Sequence, residues 1–201
     1  ALAESGRRVV LVDADLGLAN LDLLCGLTPR IDLGDLLTGE GRLADALIEG
    51  PAGIKLLPGA HGMRTLLEVL GDGPRRIVNE MATLDRDADF VIVDAGSGLG
   101  PSIGTIAAAA DEVVIVTTPE PTSMADAQAA IHRFRRLSSN PTLRLVVNQA
   151  KSAAEAADVL DRLATGSRGF LGVVVHPLGH VRSDPQVSAA VRERRPFLVA
   201  C

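Results

Sequence analysis

The sequence predicts an α/β fold, a mainly parallel sheet with helices on both faces. Val9–Val12, Phe90–Val93, Glu112–Thr117 and Leu143–Val147 are short, nearly unbroken apolar runs. That is the pattern of strands buried on both faces of a parallel sheet. Stretches with apolar residues at helical spacing lie between them, and strands alternating with helices build βαβ units. Three of these runs end in a polar residue: Asp13, Asp94 and Asn148. Parallel strands gather such ends on one edge of the sheet, where open α/β sheets bind their ligands.

The elements follow in order. Ala1–Gly6 reads as the last turn of a helix closed by Gly6, and because a domain rarely begins there, sequence upstream of Ala1 is expected to be absent. Arg8–Asp13 is the first strand, and a helix runs from about Asn20 to Gly26. Ile31–Leu37 and Leu43–Ile48 read as short helices around Gly39-Glu40-Gly41. Ile54–Leu57 is a short strand stopped by Pro58-Gly59. A weak helix is expected over Gly62–Leu70 and a better one over Arg75–Arg86. After the strand ending at Asp94 comes the flexible loop Ala95–Gly100, then a small-residue helix over Ser102–Ala110. Pro119-Glu120-Pro121 stops the next strand, and Thr122 or Ser123 can cap a helix over Ser123–Leu137. The strand before Asn148 leads to an Ala-rich helix over Ala153–Ala164. Leu178–Val181 is the last strand, and Asp184 and Pro185 read as cap and first position of a helix ending near Glu193.

Composition narrows the function. Residues 1–201 are read as a single domain, and 47% hydrophobic content is ample for a core, which must be aliphatic because there are four Phe, no Tyr and no Trp. That argues against stacking single-stranded nucleic acid on aromatic platforms. With 20 Lys and Arg against 25 Asp and Glu, the net charge of −5 gives no broad basic field, so no direct sequence-specific nucleic-acid binding is expected. Cys25 and Cys201 lie far apart without metal-type spacing. No run reaches the ~18 apolar residues of a membrane span and no signal peptide is visible, so a reduced, cytoplasmic protein is the expectation.

The stretch Asp13-Ala14-Asp15-Leu16-Gly17 organises the site. If the chain stays extended past the first strand, both carboxylates point to one side. They then hold Mg2+ or a water, or else they are a helix cap and solvated loop acids. Mg2+ takes one or two carboxylates, several waters and substrate phosphates, which suits two strand-end acids.

Here the residues resemble a family. Asp13–Asp22 is similar to the switch I segment of MinD/ParA-type deviant Walker A ATPases, and most like the flagellar-number regulator branch, FlhG/FleN. Leu57-Pro58-Gly59, Val91–Gly98 (Walker B and switch II), Val116–Ala127, Val146–Gln149 and Leu178–Val187 with Arg195-Pro196-Phe197 resemble the family's later segments in the same order. The resemblance implies a SIMIBI-type P-loop NTPase fold, binding of ATP and Mg2+, ATP-dependent homodimerisation and hydrolysis. Residue by residue, it implies that Asp15 positions the attacking water, Asp94 holds Mg2+ through a water, and Asp13 supports the Mg2+ shell. Asn20 would lie near the nucleotide or the partner subunit. Asn148 would face the adenine, with Arg182 to Asp184 closing over the base. The implied output is spatial regulation of flagellar placement and number, or of division or cargo position. The partner would be a regulatory protein, an FlhF-like GTPase or a flagellar or division protein, with peripheral visits to the inner face of the cell membrane.

Two departures stand against the family pattern. The Gly-rich Walker A loop with its two lysines is missing along with its strand, and Lys55 and Lys151 are the only lysines. That loop supplies the N–H cradle and the charge for phosphate, so the chain is expected to bind ATP poorly and hydrolyse it negligibly. Arg182 stands where many relatives carry Pro. The rival reading is a non-catalytic interaction module on a degenerate P-loop scaffold.

Other features read blandly. Gly96, Gly98 and Gly100 are spaced G-x-G-x-G, not as a dinucleotide fingerprint. Gly96-Ser97-Gly98 lacks the hydrolase elbow spacing. His61, His132, His176 and His180 are scattered. Arg133, Arg135 and Arg136, like Arg192, Arg194 and Arg195, read as solvated helix faces. Cys25 reads as a small packed residue.

Overall fold

The computed structural model describes residues 1–15, 17–60, 72–137 and 139–200. The helix expected over Gly62–Leu70, and His61, lie outside these residues. The chain divides into two compact units, Ala1–Ser97 with Gln186–Cys201, and Gly98–Pro185.

The first unit opens on the expected closing turn. Gly6 has φ +83°; its N–H donates to the Ala3 carbonyl and the Arg7 N–H to that of Leu2, the bond pair of a Schellman motif. Strand β1 (Val9–Asp13) then enters the middle of a four-stranded sheet of order β2-β3-β1-β4. It pairs parallel with β3 (Lys55–Leu57) and β4 (Phe90–Asp94). β2 (Ile48–Glu49) pairs antiparallel with β3. This hairpin corrects the expectation of a helix reaching Ile48: α3 stops at Ala46, after α1 (Leu21–Leu24) and α2 (Leu33–Thr38). Leu47 leaves the helix in extended geometry, φ −73° and ψ 113°, and the next two residues join the ladder. α1 is likewise shorter than expected, because Gly26 at φ +68° closes it with Leu27 N–H donating back to Asp22.

α2 starts two residues later than the expected Ile31, where side-chain chemistry sets its first turn. Asp32 accepts from the Gly34 and Asp35 N–H groups while Asp35 accepts from the Asp32 N–H, a reciprocal capping box. α4 (Gly73–Ala82) continues as a 3₁₀ turn to Arg86. Val10, Val12, Leu33, Leu36, Leu37, Leu57, Ile77 and Leu84 form the core on one face of the sheet. β4 departs from the expectation of a strand buried on both faces: Phe90 and Ile92 are 42% and 45% exposed. Among the described residues its only strand partner is β1.

In the second unit, β5 (Glu112–Thr117), β6 (Thr142–Ala150) and β7 (His176–Arg182) form a parallel sheet in that order. α5 (Pro101–Ala109), α6 (Pro121–Phe134) and α7 (Ala153–Gly166) supply the helical connections. Ile115, Leu143, Leu145 and Val147 pack with Ile131 and Phe134 of α6 and Val159 and Leu163 of α7. α6 starts on Pro121, before either expected cap, Thr122 or Ser123. Ser123 instead accepts the Thr118 N–H at 2.9 Å and lies 3.1 Å from the buried Thr117 hydroxyl. α7 is capped by Ser152, which accepts from Glu155 N–H. α8 (Pro185–Arg192), apart from its first residue, and α9 (Phe197–Ala200) belong to the first unit. Among the described residues no helix is long and apolar enough to cross a membrane.

Candidate functional site

The first unit carries the acids. β1 and β4 pair in register, so Asp13 lies opposite Asp94, and Ala14 N–H extends the ladder to the Asp94 carbonyl at 2.8 Å. Their side chains differ sharply. Asp13 is 1% exposed and its oxygens are occupied by backbone. Oδ1 accepts Asp15 N–H at 3.2 Å, and Oδ2 accepts Asn20 N–H at 2.8 Å and Leu21 N–H at 3.0 Å. The buried acid thus starts α1, whereas the Asn20 side chain caps nothing. Burial pushes the Asp13 carboxyl above the usual range, the three N–H groups pull it back, and the like charge of Asp94 adds to the rise. Asp94 is exposed, and its Oδ1 accepts Gly96 N–H at 3.1 Å.

Asp15 is half-buried at the start of a tight turn, where its Oδ1 accepts both Gly17 and Leu18 N–H at 3.0 Å. In this conformation both acids bond to backbone. Asp13 does the capping, and Asp15 organises the turn.

Two glycines complete the arrangement and were not singled out from the sequence as site residues. A Cβ at Gly59, just past β3, would fall 2.5 Å from Ala19 Cβ and 2.9 Å from Asp13 Cγ. A Cβ at Gly96, where φ is +70°, would fall 2.5 Å from both Cγ and Oδ2 of Asp15. The available signal was position: each glycine lies two residues beyond a strand end on the acid-bearing edge.

Among the described residues, no group of three or more His, Cys, Asp or Glu is placed to hold a metal ion by itself. The donor set suits Mg2+ shared with phosphate and water, which needs only one or two carboxylates. Exposed Asp94 fits the ligand role, and enclosed Asp13 fits the supporting one. An apolar cavity of about 530 Å³ in this unit contains none of these acids. It is lined by Val9, Leu11, Leu24, Cys25, Ile92 and Val191 among others. Burial there raises the Cys25 thiol, in keeping with a packed residue.

The second unit carries the other expected residues. Asn148 was expected to end its strand, but β6 runs on to Ala150. The ladder to β7 shifts register between Val147 and Ala150, and Gln149 takes φ 57°. Within that irregularity the Asn148 Oδ1 accepts Gln149 N–H at 2.9 Å. Arg182 pairs opposite Ala150, and Ser183 N–H donates to the Ala150 carbonyl at 2.9 Å. This brings Asn148 and Arg182 to the same edge of the sheet, with Asp184 immediately before α8.

No protein-family profile matches the sequence. Over 195 residues the chain is 35% identical to antiactivator FleN of Pseudomonas aeruginosa, covering 97% of this chain and 70% of FleN. It is 31% identical over 197 residues to the flagellum site-determining protein YlxH of Helicobacter pylori, covering 97% of this chain and 66% of YlxH. The septum site-determining protein MinD complexed with Mg-ADP from Pyrococcus horikoshii shares the fold. The TM-score is 0.82 at 24% identity, over 99% of this chain and 78% of that one.

Proposed function

This chain belongs to the MinD/FleN family of P-loop ATPases, and on that premise we propose that its strand-end acids are the water- and metal-handling half of an ATP-driven positioning switch. The observation that carries the reading is the in-register pair Asp13 and Asp94 at the carboxyl edge of β1 and β4, with Asp15 two residues past the first acid.

The roles divide as the geometry divides. Asp94, exposed and lightly bonded, would hold Mg2+ through water. Bound there with ATP, Mg2+ supplies charge neutralisation on the phosphates. Asp13 keeps the loop from Asp15 to Leu21 in place through its three backbone hydrogen bonds and so supports the metal shell from behind. Asp15 would align the attacking water. Asn20 would lie beside the nucleotide or a second subunit, while Asn148, Arg182 and Asp184 would receive the base. Phosphoryl transfer asks for this kind of positioning more than for covalent chemistry.

The proposed cycle is dimerisation on ATP, release on hydrolysis, and an output in flagellar placement or number or in division. It would act through a regulatory partner such as an FlhF-like GTPase and through visits to the membrane surface. The likeness to YlxH, a flagellum site-determining protein, favours the flagellar output. The 201 residues contain no Gly-rich loop bearing lysine, so the chain by itself is expected to take up Mg-ATP weakly. Calorimetric titration checks this, and micromolar binding would overturn this account of the phosphate site. In a form that carries a Walker A loop, Asp15→Ala should retain ATP binding, stop turnover and accumulate the dimer. Unchanged turnover would remove Asp15 from the water-positioning role.

A further inference from the structure

Gly96 touches Asp15 more closely than any side chain could. A Cβ there would meet Cγ and Oδ2 at 2.5 Å and Cβ of Asp15 at 3.0 Å. Real Cβ atoms do not approach other atoms that closely, and these Asp15 atoms lie near its backbone, not at the far end of a long side chain. The opposite oxygen, Oδ1, faces the Gly17 and Leu18 amides. The carboxylate is therefore bracketed, with the space a Gly96 Cβ would need on one oxygen and two N–H donors on the other. Gly96 is itself held by its N–H bond to Asp94 Oδ1, so the bracket links the loops that follow β1 and β4.

We propose that Gly96 is a positioning residue for Asp15: its bare α-carbon sets the carboxylate against the Gly17 and Leu18 amides and couples that setting to Asp94. The functional weight of this rests on reading Asp15 as the acid that aligns water, but the contact does not. A group that engages Asp94 Oδ1 competes with the Gly96 N–H, loosens that turn and frees Asp15 from its amides. A side chain at Gly96 would force the same release without any ligand.

Amide hydrogen exchange on the full 201-residue chain tests this independently of hydrolysis. In Gly96→Ala the Gly17 and Leu18 amides should exchange at least about tenfold faster, the factor expected when a hydrogen bond worth about 1.4 kcal/mol is lost. The Asn20 and Leu21 amides, which answer to Asp13, should keep their parental rates. Gly98→Ala is the control for backbone strain, since Gly98 has φ +110° with nothing within 4 Å; it should leave Gly17 and Leu18 unchanged. If Gly96→Ala does not fold, the double variant Gly96→Ala with Asp15→Gly, which removes the carboxylate and its Cβ, should recover folding. Parental exchange at Gly17 and Leu18 in Gly96→Ala, equal acceleration in Gly98→Ala, or no recovery in the double variant would each overturn the proposal.

Discussion

β1 and β4 are near twins in sequence, Val-Val-Leu-Val-Asp against Phe-Val-Ile-Val-Asp, and they pair residue for residue. In the fold they are opposites. β1 has a strand on each side, and Val9, Val10, Val12 and Asp13 are buried. Among the described residues β4 is paired along one side only, and Phe90, Ile92 and Asp94 are exposed. The acids inherit the difference. A carboxylate at the end of an enclosed strand must satisfy itself on nearby backbone, because an unpaired buried charge is too costly; Asp13 becomes scaffold. A carboxylate at the end of the outer strand remains hydrated and available to a ligand. Burial here is a property of strand order, which the local pattern of apolar residues does not encode.

The sharpest way to break this contrast is to remove each acid. Asp13→Ala leaves three backbone N–H groups without their acceptor in a site closed to water, and should cost about 3 kcal/mol of unfolding free energy. Asp94→Ala, on exposed surface with one lost N–H bond, should stay within about 0.5 kcal/mol. Urea denaturation measures both, and equal losses would mean that the two acids do the same structural work. A smaller effect comes from the strands themselves. Val12→Ala, at 0% exposure, should cost roughly 2 kcal/mol through lost apolar burial and the cavity left behind. Ile92→Ala, at 45% exposure, removes more atoms yet should cost less than about 1 kcal/mol. A larger loss at Ile92 would show that β4 is covered in solution.

This contrast also marks what the chain discloses by itself. The alternation of strands and helices, the turn at Gly6 and the gathering of Asp13 and Asp94 at one edge all follow from local pattern and are legible in the sequence. The two-residue strand Ile48–Glu49 is not, because so short a segment has no period and is a strand only by virtue of β3 beside it. Nor is the continuation of β6 past Asn148, which depends on pairing with β7 across a register shift. Asn20 looks like a helix cap by type, yet the cap comes from Asp13, seven residues earlier, through a loop that no spacing rule predicts. Gly59 and Gly96 matter through contacts made with distant segments, so their role emerges only once β1, β3 and β4 are side by side.

The smallest expected effect lies at the amino ends of the same two strands and has the opposite sign of pH dependence. Arg8, just before β1, donates to Asp89, just before β4, through its guanidinium and through its backbone N–H, each at 2.8 Å. The guanidinium bond, then the backbone bond, hold the Asp89 carboxyl below its usual range. A carboxyl lowered by folding contributes stability above the unfolded value of about 3.9 and loses it as pH falls through the folded value. Asp13 is raised, so its contribution runs the other way, and stability declines as pH rises from the ordinary Asp range through its folded value. Asp89→Asn should therefore lower the melting temperature slightly near neutral pH and converge on the parent as pH falls below the ordinary Asp range and through the lowered folded value. Because the pair is solvent-exposed, high salt should shrink the neutral-pH difference. An Asp89→Asn difference that persists unchanged at low pH would assign the loss to packing and not to charge, and would leave the β1–β4 ladder without an electrostatic clasp at its amino end.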